Sequence, residues 1–148
     1  MTIAALTTDT PTRHAAHLPG WSPSPATRYQ TIAIAADPFR TEGDATIPDV
    51  TLAYETWGRL NAARDNVILV FHALTGDAHA ASHPDIPGDR AGWWEPLLGP
   101  GAPIDTERFF VICANAIGSC YGSTGPCTTA PDGERWGLRF PALTVRDL

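Results

Sequence analysis

The stretch from Asn66 to Asp77 constrains the fold of this chain more than any other part of the sequence. Five consecutive apolar residues, Val67 to Phe71, open directly onto a polar loop that begins at His72. A short, wholly apolar run between turn-forming residues predicts a buried strand of a parallel sheet. Residues after such a strand lie at its carboxyl end, where open α/β sheets place their ligands. The sequence therefore predicts an α/β sheet with a functional site in this loop.

Composition narrows the class of protein. The 148 residues with 43% hydrophobic content suffice for the core of one domain. A formal net charge of -6 without any basic cluster argues against a nucleic-acid partner. An odd set of three cysteines without a CxxC pair favours neither a disulfide framework nor a cysteine zinc site and fits a reducing cytoplasm. No stretch resembles a signal peptide or approaches the ~18 apolar residues of a membrane span, so we expect a cytoplasmic protein.

The chain divides into a leader and a domain. Residues 1–28 are rich in Thr, Ala and Pro without a sustained period and are predicted to be a mobile leader, whereas residues 29–148 are predicted to form the α/β domain. The order of the predicted elements is strand, strand, strand, short helix, strand and helix start, which predicts an incomplete α/β sheet. The predicted elements are strands at Tyr29–Ala35, Val50–Trp57, Val67–Phe71 and Phe109–Asn115, a short helix at Gly92–Gly99, and a helix start marked by a capping box at Thr144–Asp147.

A Gly-x-Cys-x-Gly string at Gly118–Gly122 has the form of a nucleophile elbow, with Cys120 as the candidate nucleophile. Such an elbow must lead into a helix, but the following Ser123–Pro126 cannot continue one. We therefore predict a turn-forming loop here and not a catalytic thiol.

Asp77, His79 and His83 offer oxygen and imidazole ligands within seven positions, which raises the hypothesis of a metal site. The Pro84 that follows makes a regular helix doubtful, and no glutamate base accompanies the two histidines in the zincin pattern. We predict a flexible polar loop and no bound metal.

Three further residues near the predicted site are given structural roles. His72 ends the apolar strand ahead of any candidate nucleophile, so we predict that it hydrogen-bonds the loop backbone and does not act as a catalytic base. Trp93 and Trp94 are predicted to pack over the sheet and not to form a ligand platform.

Five short strings occur in one order along the chain. Together they resemble the amino-terminal part of the homoserine O-acetyltransferases, α/β-hydrolase-fold enzymes of methionine biosynthesis, and the resemblance runs from about Tyr29 to Leu148. The strings are Tyr54–Gly58, His72–Asp77, Gly92–Trp94, Pro103–Thr106 and Gly122–Pro126.

The resemblance implies a ping-pong reaction in which a serine takes acetyl from acetyl-CoA and passes it to the hydroxyl of L-homoserine. Acetyl-CoA is then a substrate, and no bound cofactor is expected. The family's serine sits on a Gly-x-Ser-x-Gly elbow, and its Ser, Asp and His triad is expected to fall beyond Leu148. The whole protein is expected to be a homodimer.

In this fold one oxyanion donor comes from the loop after the third strand. The resemblance therefore assigns that role to the backbone N–H of Leu74, with Ala73, Thr75 and Gly76 lining the substrate. The 148 residues alone are expected to be inactive. In this fold the third strand, here Val67–Phe71, normally pairs with the fifth strand. Without that partner, an exposed hydrophobic edge is expected on the third strand.

Other interpretations stay open at this point. The chain fits a non-catalytic truncated remnant equally well by composition. A homoserine or serine O-succinyltransferase or acetyltransferase shares the strings, and an esterase shares the fold. The sequence does not distinguish acetyl from succinyl transfer.

Overall fold

The computed structural model describes residues 19–148, which form two compact units. No helix within that range is both long and apolar enough to cross a lipid bilayer. Unit one contains residues 19–21, Arg28–Ala53 and Ala116–Leu148, and unit two contains Ser22–Thr27 and Tyr54–Asn115.

The described elements are short. The predicted strands at residues 29–35, 50–57, 67–71 and 109–115 are all present, with boundaries shifted by no more than two residues. In chain order the strands are β1 (Arg28–Ala33), β2 (Phe39–Arg40), β3 (Thr46–Ile47), β4 (Val50–Trp57), β5 (Val67–Phe71), β6 (Leu98–Gly99), β7 (Ile104–Asp105) and β8 (Phe110–Ala114), followed by 3₁₀ turns at Gly137–Arg139 and Val145–Asp147.

The predicted leader falls only in part within the described residues, because residues 1–18 lie outside them. At its carboxyl end, Ser24 is buried and its hydroxyl donates to Asp89 at 3.1 Å. The hydroxyl of Thr27 donates to Glu55 at 2.7 Å. Residues 22–27 thus contribute contacts to unit two, and the boundary at residue 28 stays a prediction.

Unit two is built around strand β8. The second half of β4 pairs antiparallel with β8, and all five residues of β5 pair parallel with it. Val111 and Cys113 on β8 are fully buried and pack with Trp57 and Val70. The predicted parallel α/β sheet is therefore present in part, with β5 and β8 as its parallel pair.

The prediction that β5 is a buried strand is wrong for most of its residues. Only Val70 is buried, whereas Val67, Leu69 and Phe71 are 45%, 53% and 74% exposed. Within the described residues β5 pairs with β8 alone, so it has one free edge. A strand is buried on both faces only when other elements pack against it, and the sequence of the strand does not show whether they do. The exposed edge expected for this strand is present.

The predicted helix at Gly92–Gly99 is also wrong. Residues 93–97 form turns, and residues 98–99 belong to β6, which pairs parallel with β7. Pro96 cannot donate a helical hydrogen bond, and the amide of Gly92 is held by the Glu95 carboxylate at 2.8 Å. The backbone also approaches too closely for a side chain, because a Cβ on Gly92 would lie 2.2 Å from the carbonyl carbon of Ala80.

Unit one has its own small core. Ile47, Val50 and Ile117 are buried together, and β1 lies next to β4. The loop after β8 is pinned to the first half of β4, since the amide of Thr51 donates to Thr124 Oγ1 and the amide of Ala53 donates to Ser123 Oγ, both at 2.9 Å. The Gly-x-Cys-x-Gly string therefore lies in a loop, as predicted.

The capping box at Thr144 is confirmed. The side chain of Thr144 accepts from the amide of Arg146, and the Asp147 carboxylate accepts from the amide of Thr144 at 2.7 Å. The turn that it caps is the 3₁₀ turn Val145–Asp147.

Candidate functional site

The loop after β5 lies within unit two and forms a tight turn. The amide of Gly76 donates to the carbonyl of Ala73 at 2.8 Å, which places Leu74 and Thr75 at the two central positions of a β-turn. Ala73 and Thr75 are exposed, and Gly76 is half-buried. A Cβ on Gly76 would approach the Cβ of His72 to 3.0 Å, so a small residue suits this position. The four predicted loop residues are thus adjacent on one turn.

Leu74 projects into solvent from this turn with its side chain 99% exposed. Its amide N–H donates no hydrogen bond to any residue in the part of the chain that the structure describes. An uncommitted backbone N–H at the carboxyl end of a strand suits an oxyanion donor, because the donor must be free to bind the ligand oxygen. The role of Leu74 stays a prediction that this geometry supports.

His72 behaves as a loop residue in the structure. Its Nδ1 lies 2.8 Å from the carbonyl of Ala73, and a carbonyl accepts, so Nδ1 carries the proton. This bond fixes the start of the turn that carries Leu74. The arrangement agrees with the structural role expected for His72.

A buried carboxylate is the second feature of unit two that bears on function. The Glu55 side chain is 1% exposed and lies near His79, which is also 1% exposed, and His83, which is 12% exposed. Its Oε2 contacts His79 Nδ1 at 2.8 Å and His83 Nε2 at 2.9 Å, while its Oε1 accepts from the Thr27 hydroxyl. We call Thr27, Glu55, His79 and His83 the Glu55 cluster.

Hydrogen-bond chemistry fixes the charge state of His79. Its Nδ1 faces a carboxylate oxygen, and its Nε2 lies 2.7 Å from the carbonyl of Arg90. Both partners only accept, so both ring nitrogens carry protons and His79 is an imidazolium. The cluster therefore contains a buried ion pair between Glu55 and His79.

The pKa shifts agree with this assignment. Burial by itself raises the pKa of Glu55, but the hydrogen bonds from His79, His83 and Thr27 outweigh it and lower the pKa to about 2. Burial lowers the pKa of His79, but its bonds to Glu55 and to the Arg90 carbonyl outweigh that effect and raise it above 6.5.

The Glu55 cluster also bears on the metal hypothesis. Glu55, His79 and His83 each offer a ligand atom, and these atoms lie within 4.8 Å of one another. Asp77, which the sequence grouped with the two histidines, instead pairs with Arg90 at 2.8 Å. Nδ1 of His79 could bind a metal only after losing the proton that it donates to Glu55, so the ion pair and a bound metal exclude each other. The expectation of no bound metal stays a prediction.

Asp77 links the turn to the residues that follow it. Its Oδ1 accepts from the amide of His79 at 3.0 Å, and its backbone carbonyl accepts from Trp93 Nε1 at 2.9 Å. Trp94 packs against the unit-two core, and Trp93 is 38% exposed. The two tryptophans thus hold the loop and the core, in agreement with their predicted packing role.

Sequence reasoning singled out both histidines but missed Glu55 as their partner. The signal was present in the alternation along β4, because Ala53, Glu55 and Trp57 occupy its buried face. An acidic residue at an inward position of an alternating strand predicts a buried partner of opposite charge.

Sequence comparison finds homoserine O-acyltransferases that are similar to this chain. No protein-family model matches it. A homoserine O-acetyltransferase from Thermobifida fusca is 53% identical over 113 residues, covering 76% of this chain and 30% of that protein. A homoserine O-succinyltransferase from Acidithiobacillus ferrooxidans is 56% identical over 119 residues, covering 80% of this chain and 31% of that protein. The chain therefore spans about 30% of the length of these curated relatives.

Solved structures give the same result for the fold. The crystal structure of homoserine O-acetyltransferase from Bacillus anthracis matches with a TM-score of 0.69 and 31% identity, covering 84% of this chain and 34% of that one. An acetylester hydrolase from Corynebacterium glutamicum matches with a TM-score of 0.61 and 28% identity, covering 80% and 30%. By sequence and by fold, this chain is a relative of the homoserine O-acyltransferases and corresponds to part of their α/β-hydrolase fold.

Proposed function

We propose that the protein carrying this chain transfers an acetyl group from acetyl-CoA to the hydroxyl of L-homoserine, a reaction of methionine biosynthesis. The observation that carries the proposal is the identity of 53% to a homoserine O-acetyltransferase over 113 residues. Both substrates are small molecules, and the proposal includes no bound cofactor.

Within that reaction, the chain contributes an oxyanion donor. The free N–H of Leu74 lies on an exposed turn at the carboxyl end of β5, and it is proposed to stabilise the negative oxygen of a tetrahedral intermediate. Ala73, Thr75 and Gly76 surround it and line the acyl group. The Glu55 cluster and Asp77 hold the chain segment after this turn.

The 148 residues alone are proposed to be inactive. They contain no Gly-x-Ser-x-Gly string, so the serine of the family's covalent route is absent from this sequence. A donor without a nucleophile cannot form an acyl-enzyme.

The test compares the 148-residue chain with a longer chain that extends through the next Gly-x-Ser-x-Gly string of its gene. Each is incubated with acetyl-CoA and L-homoserine, and O-acetylhomoserine is measured by chromatography. We expect product from the longer chain only. Multiple turnover by the 148 residues would overturn the proposal that they lack the nucleophile. If product formed from succinyl-CoA but not from acetyl-CoA, the acyl donor would be succinyl-CoA.

A second candidate function is ester hydrolysis. The structural match to an acetylester hydrolase favours it, because hydrolysis and acyl transfer share an acyl-enzyme and differ only in the acceptor. Acetate release without O-acetylhomoserine from the longer chain would select this candidate. If the gene contains no further open frame, the chain is instead a non-catalytic remnant.

Two finer points belong to the same proposal. A cytoplasmic location is supported by the odd cysteine set without a CxxC pair. A homodimer of the whole protein is supported by the family resemblance. Fractionation of cells and light scattering of the purified longer chain test these two points.

A further inference from the structure

Leu74 depends on its neighbours for its position. Its side chain is 99% exposed, and its amide donates to no other residue within residues 19–148. One backbone hydrogen bond closes the turn that carries it, from the amide of Gly76 to the carbonyl of Ala73 at 2.8 Å. An oxyanion donor must lie within about 2.7–3.1 Å of the reacting oxygen, so a turn that moves freely would be a poor donor. The residues that flank the turn must therefore restrain it.

The two ends of the turn are restrained in different ways. Before the turn, the contact of His72 Nδ1 with the carbonyl of Ala73 at 2.8 Å joins two adjacent residues. After the turn, Asp77 is 8% exposed and bonds to residues that lie 13 and 16 positions further along the chain. Because Asp77 follows Gly76 directly, the contacts that hold Asp77 also hold the last residue of the turn.

Both the side chain and the backbone of Asp77 are held. Its Oδ1 accepts from the amide of His79 at 3.0 Å, and its Oδ2 accepts from Nη2 of Arg90 at 2.8 Å. Its backbone carbonyl accepts from Nε1 of Trp93 at 2.9 Å. The pair with Arg90 joins two charged groups, and hydrogen bonds between charged groups are stronger than those between neutral ones.

The contacts of Asp77 with His79 and Arg90 form a closed circuit. The amide of His79 donates to Asp77, the His79 ring donates through Nε2 to the carbonyl of Arg90 at 2.7 Å, and the Arg90 guanidinium donates back to Asp77. His79 is also paired with the buried Glu55. Each member of the circuit is bonded to the other two, so Asp77 cannot shift without straining one of these bonds.

We propose that Asp77 is a positioning residue for acyl transfer, and that its pairing with Arg90 fixes the place of the Leu74 amide. Asp77 acts through Gly76 and the turn, and it donates nothing to the reacting oxygen itself. The inference rests on the proposed function, because it takes the oxyanion role of Leu74 as given. It adds a residue whose removal should lower the rate without removing any group that binds substrate.

The kinetic test uses the longer chain with Asp77→Asn. This variant keeps the size of the side chain but has one accepting oxygen in place of two, so it loses the bond to either Arg90 or His79. A misplacement of about 1 Å can cost about 10²-fold in rate, so we expect kcat to fall by about 10-fold to 10²-fold. KM should stay within about threefold, because the donor acts mainly in the transition state. The matched control is Asp85→Asn, an exposed aspartate of the same loop, which should keep kcat within about twofold.

A double variant separates positioning from general damage. Leu74→Pro has no amide hydrogen left to position, so in that background Asp77→Asn should change kcat by less than about twofold. If Asp77→Asn lowered kcat by the same factor with and without the Leu74 amide, Asp77 would act by another route and the inference would be wrong. Arg90→Lys should keep more of kcat than Arg90→Gln, because only lysine retains a cation opposite Asp77.

Amide hydrogen exchange of the 148-residue chain, followed by NMR, tests the turn without any reaction. The amide of Gly76 reports the turn, and the amide of Phe110, which donates to Asn66 at 2.8 Å, reports the pairing of β5 with β8. In the native chain Gly76 should exchange at least about tenfold more slowly than in an unfolded chain. Asp77→Asn should accelerate Gly76 by at least about fivefold and leave Phe110 within about twofold, whereas Asp85→Asn should change neither.

These results distinguish the inference from the proposed function. If exchange changes as expected but the longer chain makes no O-acetylhomoserine, the proposed function fails and the restraint of the turn by Asp77 stands. If the longer chain is active but Asp77→Asn leaves kcat and the exchange of Gly76 unchanged, the inference fails alone. Equal acceleration at Gly76 and Phe110, or a Gly76 amide that is unprotected in the native chain, would also overturn it.

Discussion

Replacing Leu74 with proline tests the oxyanion assignment directly. The turn places Leu74 at its first central position, where proline is the favoured residue in the commonest turn types. Among described residues only Asp44 and Arg64 are non-glycine residues with positive φ, so Thr75 has an ordinary backbone for a type I turn. Proline therefore fits the turn while it removes the one N–H that the proposal requires.

The expected magnitude follows from the exposure of Leu74. Its side chain is 99% exposed and contributes no buried apolar area, so its loss should change stability by less than about 0.5 kcal/mol. Loss of one oxyanion donor typically costs ~10² to 10³ in kcat, or about 2.7–4 kcal/mol. Since the donor acts mainly on charge that develops in the transition state, kcat should fall much more than KM rises.

The assay uses the longer chain described above, with O-acetylhomoserine formation measured over a range of substrate concentrations. Leu74→Ala is the matched control, because it removes the same exposed side chain but keeps the N–H, and it should retain kcat within about twofold. Circular dichroism and thermal unfolding report whether each variant keeps the fold.

Two results would refute the reasoning. If Leu74→Pro kept more than a tenth of the wild-type kcat with an unchanged fold, the donor would have to lie elsewhere. If Leu74→Ala lost as much activity as Leu74→Pro, the side chain and not the amide would carry the effect.

Other predictions concern the Glu55 cluster and the packing beside it. In urea titrations, Glu55→Gln should lower the free energy of unfolding by about 3–5 kcal/mol, because it leaves the His79 imidazolium buried without its counter-ion. The control Glu107→Gln changes an exposed residue and should alter this free energy by less than about 0.5 kcal/mol. The Glu55 pKa of about 2, against an ordinary 4.5, predicts that stability falls as pH drops from about 4.5 towards 2. The raised pKa of His79 predicts a second loss as pH rises above 6.5, and both slopes should weaken in Glu55→Gln; equal slopes in the two proteins would contradict the ion pair. Gly92→Ala should lower Tm strongly, because its Cβ would lie 2.2 Å from the Ala80 backbone, and an unchanged Tm would show that this approach relaxes freely. Zinc at micromolar concentration should leave Tm unchanged, and a saturable increase would establish a metal site at the Glu55 cluster.

The positions of the main strands followed from local patterns. Alternation of apolar and polar residues predicted β4, because successive side chains of a strand point to opposite faces of the sheet. The unbroken apolar run predicted β5, because such a run is typical of a strand that is apolar on both faces. The capping box at Thr144 followed in the same way, because its partners are three residues apart. The prediction of a helix at residues 92–99 was wrong, because the close approach of Gly92 to Ala80 depends on residues distant in sequence.

By itself, the sequence determined the main strands, the loop after β5, the turn-forming loop after β8 and the resemblance to homoserine O-acyltransferases. These depend on residues that are neighbours along the chain or on strings matched in order. Only the tertiary structure decided which side chains meet: Glu55 with two histidines from another segment, and Asp77 with Arg90. Such contacts join residues from different segments of the chain, so their distances are set by chain packing and cannot be derived from local periodicity.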